Sequence, residues 1–144
     1  MSRKNIAFWG ATGLVATEAL YGAFTYLTAA PIAVERFEHV GYPQQLRVLL
    51  GIAKLAGAIV LLLPLLPTLK EWAYAGFTFT WIAATVAHFL AGDGALSLIP
   101  VALIGVLAVS YVTRPADRRG TEEAMHITRL GSGIPAPLTP RPLS

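Results

Sequence analysis

Four long apolar runs, joined by short polar links, set what this chain can fold into. They occupy residues 6–30, 46–66, 72–91 and 95–113. Each is close to the about 20 residues that a helix needs to cross a hydrocarbon core ~30 Å thick. In lipid, every backbone polar group must be satisfied within a helix or a closed barrel. The runs lack the two-residue alternation of barrel strands, so helices are expected. The sequence therefore predicts an all-α, antiparallel four-helix transmembrane bundle over residues 1–113, followed by a polar tail over 114–144. Pro135, Pro137, Pro140 and Pro142 make the end of that tail an extension with too little apolar surface to order itself.

Composition agrees. Of 144 residues, 55% are hydrophobic and 13% are charged, against roughly 25% charged in a soluble domain. A soluble helical bundle is disfavoured because almost no polar face exists to meet water. The formal charge is +3 and the pI is near 9.5. The bases gather at helix ends, which suits lipid headgroups and implies no nucleic-acid partner. Cysteine is absent, which removes thiolate nucleophiles and cysteine metal sites. Any redox role would need a bound cofactor or quinone. Arg3 and Lys4 ahead of an apolar run ending in Ala29 and Ala30 also fit a cleaved leader, but the run is long for one and holds Glu18.

The links at 67–71 and 92–94 are short enough to force antiparallel neighbours. The link at 31–45 carries Glu35, Arg36, Glu38, His39 and Tyr42, and fits a short helix on the membrane face before a turn at Gly41-Tyr42-Pro43. Arg3, Lys4, Lys70, Arg114, Arg118 and Arg119 would share one side, Arg36 and Arg47 the other. The excess of bases puts both termini in the cytoplasm, with the first and third links outside. Trp9 and Trp72 would lie near that interface. Arg114, Arg118 and Arg119 would hold the tail to anionic headgroups. Glu71 suits a helix start, Pro64 an end or bend, and Pro100 a kink in the fourth helix.

Glu18 is the most informative residue, because a bare carboxylate within a membrane helix costs at least about 2.5–3.5 kcal/mol. It must face the bundle, take a proton or find a partner. Lys54, flanked by Gly51, Gly57 and Ala58, is the candidate partner. His88 near the end of the third helix, Asp93 after it, and His39 in the first link would gather on the outer side. Tyr21, Gly22, Thr25, and the stripe Trp81, Thr85, His88 would complete a pocket that opens outward and narrows to Glu18.

Three readings compete. The cluster is structural, with Glu18–Lys54 as an interhelical pair and Asp93 as a cap on the fourth helix. Alternatively it binds a small amphiphile, a quinone or sterol-like lipid, through Tyr21, His39, Lys54, Trp81 and Asp93. The third reading is an isomerase or oxidoreductase with Glu18 and His88 as acid–base groups. No metal is expected, since no two histidines share a helix at ligand spacing. Gly10-Ala11-Thr12-Gly13 opens a membrane helix and reads as a close-packing site, not a nucleotide loop. The small faces Ala84, Ala87, Ala91 and Ala102, Gly105, Ala108 could pack within the bundle, in a homodimer, or against a partner membrane subunit.

Phe37-Glu38-His39-Val40-Gly41-Tyr42-Pro43, then Leu50-Gly51-Ile52-Ala53-Lys54-Leu55-Ala56-Gly57-Ala58, then Leu69-Lys70-Glu71-Trp72-Ala73-Tyr74-Ala75-Gly76-Phe77 follow one another along the chain. With Glu18, Tyr21-Gly22 and the stretch from His88 to Asp93, they resemble the DoxX-like group of small bacterial four-helix membrane proteins. The resemblance spans residues 18–93. It implies a membrane subunit linked to thiosulfate oxidation with quinone as acceptor, and hence a quinone site or partner subunit. Glu18, His39, Lys54, Glu71, Trp72 and His88 match its pattern. The helical plan is also similar to that of membrane sterol isomerases, which implies carboxylate-mediated proton shuttling by fold analogy alone.

Overall fold

The computed structural model describes residues 2–64 and 67–115. The chain runs α1 (Arg3–Leu27), α2 (Pro31–His39), α3 (Gln44–Leu62), α4 (Pro67–Leu90), a 3₁₀ turn (Gly94–Ser97) and α5 (Leu98–Thr113). The first link thus holds the short helix its sequence suggested, and α4 begins earlier than residue 72.

Local chemistry fixes the boundaries. Ser2 caps α1 by accepting from the Asn5 N–H at 3.3 Å. Pro31 opens α2, where its missing N–H costs nothing. Leu63 is extended, with ψ 139, as a residue before proline prefers, and α3 stops there. Pro100 corrects an expectation. It is the third residue of α5, within the first turn whose N–H groups lack helical partners anyway, so it opens the last helix and does not interrupt it.

α1 packs against α3 and α5, and α4 packs against the same two helices; α2 lies on α1 and α3. The core is Val15 and Ala19 from α1, Ala58 and Leu61 from α3, Tyr74, Phe77 and Trp81 from α4, and Leu107 from α5. Gly57 lets α3 meet the Phe77 ring so closely that a Cβ there would lie 2.8 Å from it. The outside is as apolar as the inside: Trp72 and Phe79 are each 71% exposed and Leu90 is 78% exposed. Lipid is the solvent that suits such a surface. Gln44–Leu62, Pro67–Leu90 and Gly94–Thr113 are each long and apolar enough to cross a membrane, with mean hydropathies of 1.8, 1.2 and 2.3. α1, which carries Glu18, is not among these stretches. The protein is an all-α, multi-pass membrane protein.

Two polar knots tie α4 and α5 together near Arg114. The buried Ser110 hydroxyl lies 2.7 Å from Thr12 Oγ1 and 2.8 Å from the Tyr74 hydroxyl, joining three helices. Ser110→Ala is expected to lower stability by about 1–3 kcal/mol, because two buried hydroxyls lose a partner; chemical unfolding in detergent measures it. Arg114 corrects a second expectation. It does not reach for headgroups: it is 6% exposed, donates to Glu71 Oε1 at 2.5 Å, and lies over the rings of Tyr74 and Tyr111. Arg118, Arg119 and the proline-rich tail lie outside the described residues.

Candidate functional site

Glu18 meets Lys54. The spacing Arg47, Gly51, Lys54, Ala58, Leu61 puts Lys54 on the buried face of α3, turned toward α1. Its ammonium donates to Glu18 Oε1 at 2.8 Å and Oε2 at 3.0 Å. The two partners are unequally covered: the Lys54 side chain is 5% exposed and that of Glu18 is 30% exposed. The ammonium lies 5.8 Å from the Tyr26 ring centroid and 5.9 Å from that of Trp81, so aromatic faces supplement the carboxylate. Trp81 is itself fixed by stacking on Phe77 at 5.4 Å. Gly22 makes the room: a Cβ there would lie 3.0 Å from Lys54 Cδ.

A second polar centre lies at the link between α4 and the 3₁₀ turn. His39 Nε2 donates to Asp93 Oδ1 at 2.6 Å, and His88 Nδ1 donates to Asp93 Oδ2 at 2.5 Å. Gly92 and Gly94, with φ of 80 and 56, supply the left-handed turn that aims Asp93 at both rings. The hydrogen bonds from His88 and then His39 hold the Asp93 carboxyl below its ordinary 3.8. The pairing therefore favours the folded form above the ordinary carboxylate value, and that contribution is lost as pH falls through the lowered one. Asp93 makes no side-chain capping bond, which corrects its expected role as a cap, because both oxygens face histidines. Among the described residues no group of three His, Asp or Glu side chains is arranged to hold a metal ion.

The single outward-opening pocket expected from the sequence is thus two centres. On the side of the central pair, Phe37 of α2 sits edge-on to Tyr26 at 5.1 Å, and Tyr26 borders Lys54. Tyr21 belongs to neither centre. It is 63% exposed on the outside of α1, which corrects its place in the pocket. A groove of about 240 Å³ between α3 and α4 reaches Lys54 but not Glu18, and is lined also by Gly57, Trp72, Gly76, Phe77 and Thr80. Of the residues predicted to bind a ligand, it includes Lys54 alone. A larger groove of about 410 Å³ runs between α4 and α5 beside Glu71, Tyr74 and Tyr111.

One residue that the sequence marked only as an outer-side base completes the central site. Arg47 is buried, donates to Gln44 Oε1 at 2.6 Å and bonds the Tyr26 carbonyl, so it pins the end of α1 behind the aromatic wall. Its place seven residues before Lys54, two helical turns along the same stripe, was the available signal.

Neither a curated protein nor a solved structure matches the chain. Residues 10–110, which span α1 to nearly the end of α5, match the DoxX-like family. The match takes in both polar centres and covers more than half of the sequence. The chain therefore belongs to the DoxX-like family of bacterial membrane proteins.

Proposed function

We propose that the protein crosses the bacterial inner membrane as an antiparallel four-helix bundle with both termini cytoplasmic. In this reading the Glu18–Lys54 pair is a binding centre for a small amphiphile, a quinone or lipid, within an accessory or redox-linked subunit. α1 supplies the fourth span: its 25 residues reach about 37 Å at 1.5 Å per residue. Arg3, Lys4, Lys70 and Arg114 give the cytoplasmic side its basic bias. Ala102, Gly105 and Ala108 lie on the exposed face of α5, where a second chain could approach closely.

The observation that carries the reading is a polar centre held inside apolar helices yet not sealed. Lys54 is enclosed, whereas Glu18 keeps part of its surface open, so the polar end of a lipid-dissolved molecule can reach it without unfolding the bundle. A pair serving packing alone gains little over apolar replacements. The acid–base alternative has less support, because Glu18 is engaged by Lys54 and His88 by Asp93.

The test is titration of the protein in lipid nanodiscs with a decyl-substituted benzoquinone, read by tryptophan quenching. Saturable quenching is expected. Glu18→Gln should weaken it roughly ten-fold or more, the worth of one charged hydrogen bond, with little change in helicity. Quenching that never saturates, or that ignores Glu18→Gln, would overturn the proposal.

A further inference from the structure

We infer that α2 is a hinged lid over the Tyr26 side of the Glu18–Lys54 centre, latched by the His39–Asp93 hydrogen bond. The lid covers a ligand site only if the binding reading above is right; its motion stands on geometry alone. α2 has nine residues and one apolar row against the bundle, Ala33 at 2% and Phe37 at 6% exposed. Glu35, Arg36, Glu38 and His39 on its other faces are exposed. Both flanks are left-handed: Ala29, two residues before α2, has φ 53, and Gly41, two residues after it, has φ 73. Such sharp reversals let a short helix move as a unit between two fixed ones. A left-handed alanine is also a strained conformation for an L-residue.

Beyond the Ala33 seat, side-chain contacts hold the lid down. Phe37 meets Tyr26, the Gln44 amide donates to the Val34 carbonyl at 3.3 Å, and His39 donates to Asp93 at 2.6 Å. The last is the latch, because it ties α2 to the far side of the bundle. Its acceptor is preset: His88 holds the other oxygen of Asp93, so Asp93 stays in place when His39 lets go. With so small an apolar seat, α2 opens at far lower free energy than the core. Opening lifts Phe37 from Tyr26, whose ring screens the Lys54 ammonium on that side.

The cysteine-free chain makes the test direct. Ala33→Cys places one thiol under the lid, and its reaction rate with a membrane-impermeant maleimide, in nanodiscs, reports opening. Adding His39→Ala should speed labelling about ten-fold, the effect of losing one hydrogen bond to a carboxylate. Adding His39→Gln, whose amide can still donate, should restore most of the protection. Ala58→Cys, fully buried in the core, should stay unreactive in each background. An unchanged rate with His39→Ala, no recovery with His39→Gln, or parallel labelling of Ala58→Cys would overturn the lid. This readout needs no ligand, so its failure is distinct from failure of the quinone titration.

Discussion

Glu18→Leu is expected to destabilise the protein by about 3–5 kcal/mol, the range for stripping one member from a buried ion pair. The cause is the ammonium left behind. Lys54 is 5% exposed, its stem is packed over Gly22, and it must then stay unpaired or break out of the aromatic box. Lys54→Met should cost less, because the Glu18 side chain is 30% exposed and less enclosed than its partner. The double variant Glu18→Leu with Lys54→Met should recover most of the loss, since neither charge remains. Unfolding midpoints in mixed detergent and SDS micelles give the order directly: Glu18→Leu lowest, Lys54→Met next, the double variant near the parent. Additive losses in the double variant would show that the pair is not one unit. A double variant that is stable and still binds quinone would leave the pair a structural role only.

Gly57→Ala and Gly76→Ala should part company, although both trade glycine for alanine within a helix. At Gly76 a Cβ meets nothing within 4 Å, so the variant should gain up to about 1 kcal/mol from helix propensity. At Gly57 the Cβ would lie 2.8 Å from Cε2 and Cζ of Phe77. That ring is stacked on Trp81 and cannot yield alone, and overpacking of this kind costs about 1–3 kcal/mol. Gly57→Ala should therefore unfold well below Gly76→Ala in the same detergent series. Since the crowded Phe77 ring is stacked on Trp81, tryptophan emission should shift in Gly57→Ala and not in Gly76→Ala. Equal stabilities would mean that α3 and α4 are not in close contact at this point.

The long apolar helices were legible because lipid imposes a length and a composition on every crossing. The Glu18–Lys54 pair was legible too, since a carboxylate in such a run has few places to go. Helical spacing also ranks the buried faces: Lys70, Tyr74, Phe77 and Trp81 recur along α4, and Thr12 shares a stripe with Phe8, Val15 and Ala19 on α1. What spacing does not carry is azimuth relative to neighbouring helices. Tyr21 is three residues from Glu18 and was expected to line its pocket, yet it turns outward. Arg114 reads as one more base at a helix end; only the meeting of α4 with α5 brings Glu71 to it. His39, His88 and Asp93 were expected to gather on one side and do; what left no periodic trace is the bond itself, which depends on two left-handed glycines and the position of α2.

Arg114 also has a mechanical consequence. It follows directly on the last residue of α5, and it is clamped to a carboxylate and two tyrosine rings on the α4–α5 corner. A pull on the following chain is therefore shared with α4 and does not peel away the final turn of α5 alone. Anything that tugs on that end of the molecule, a protease or a partner, takes hold of an anchored cable and not of a fraying strand.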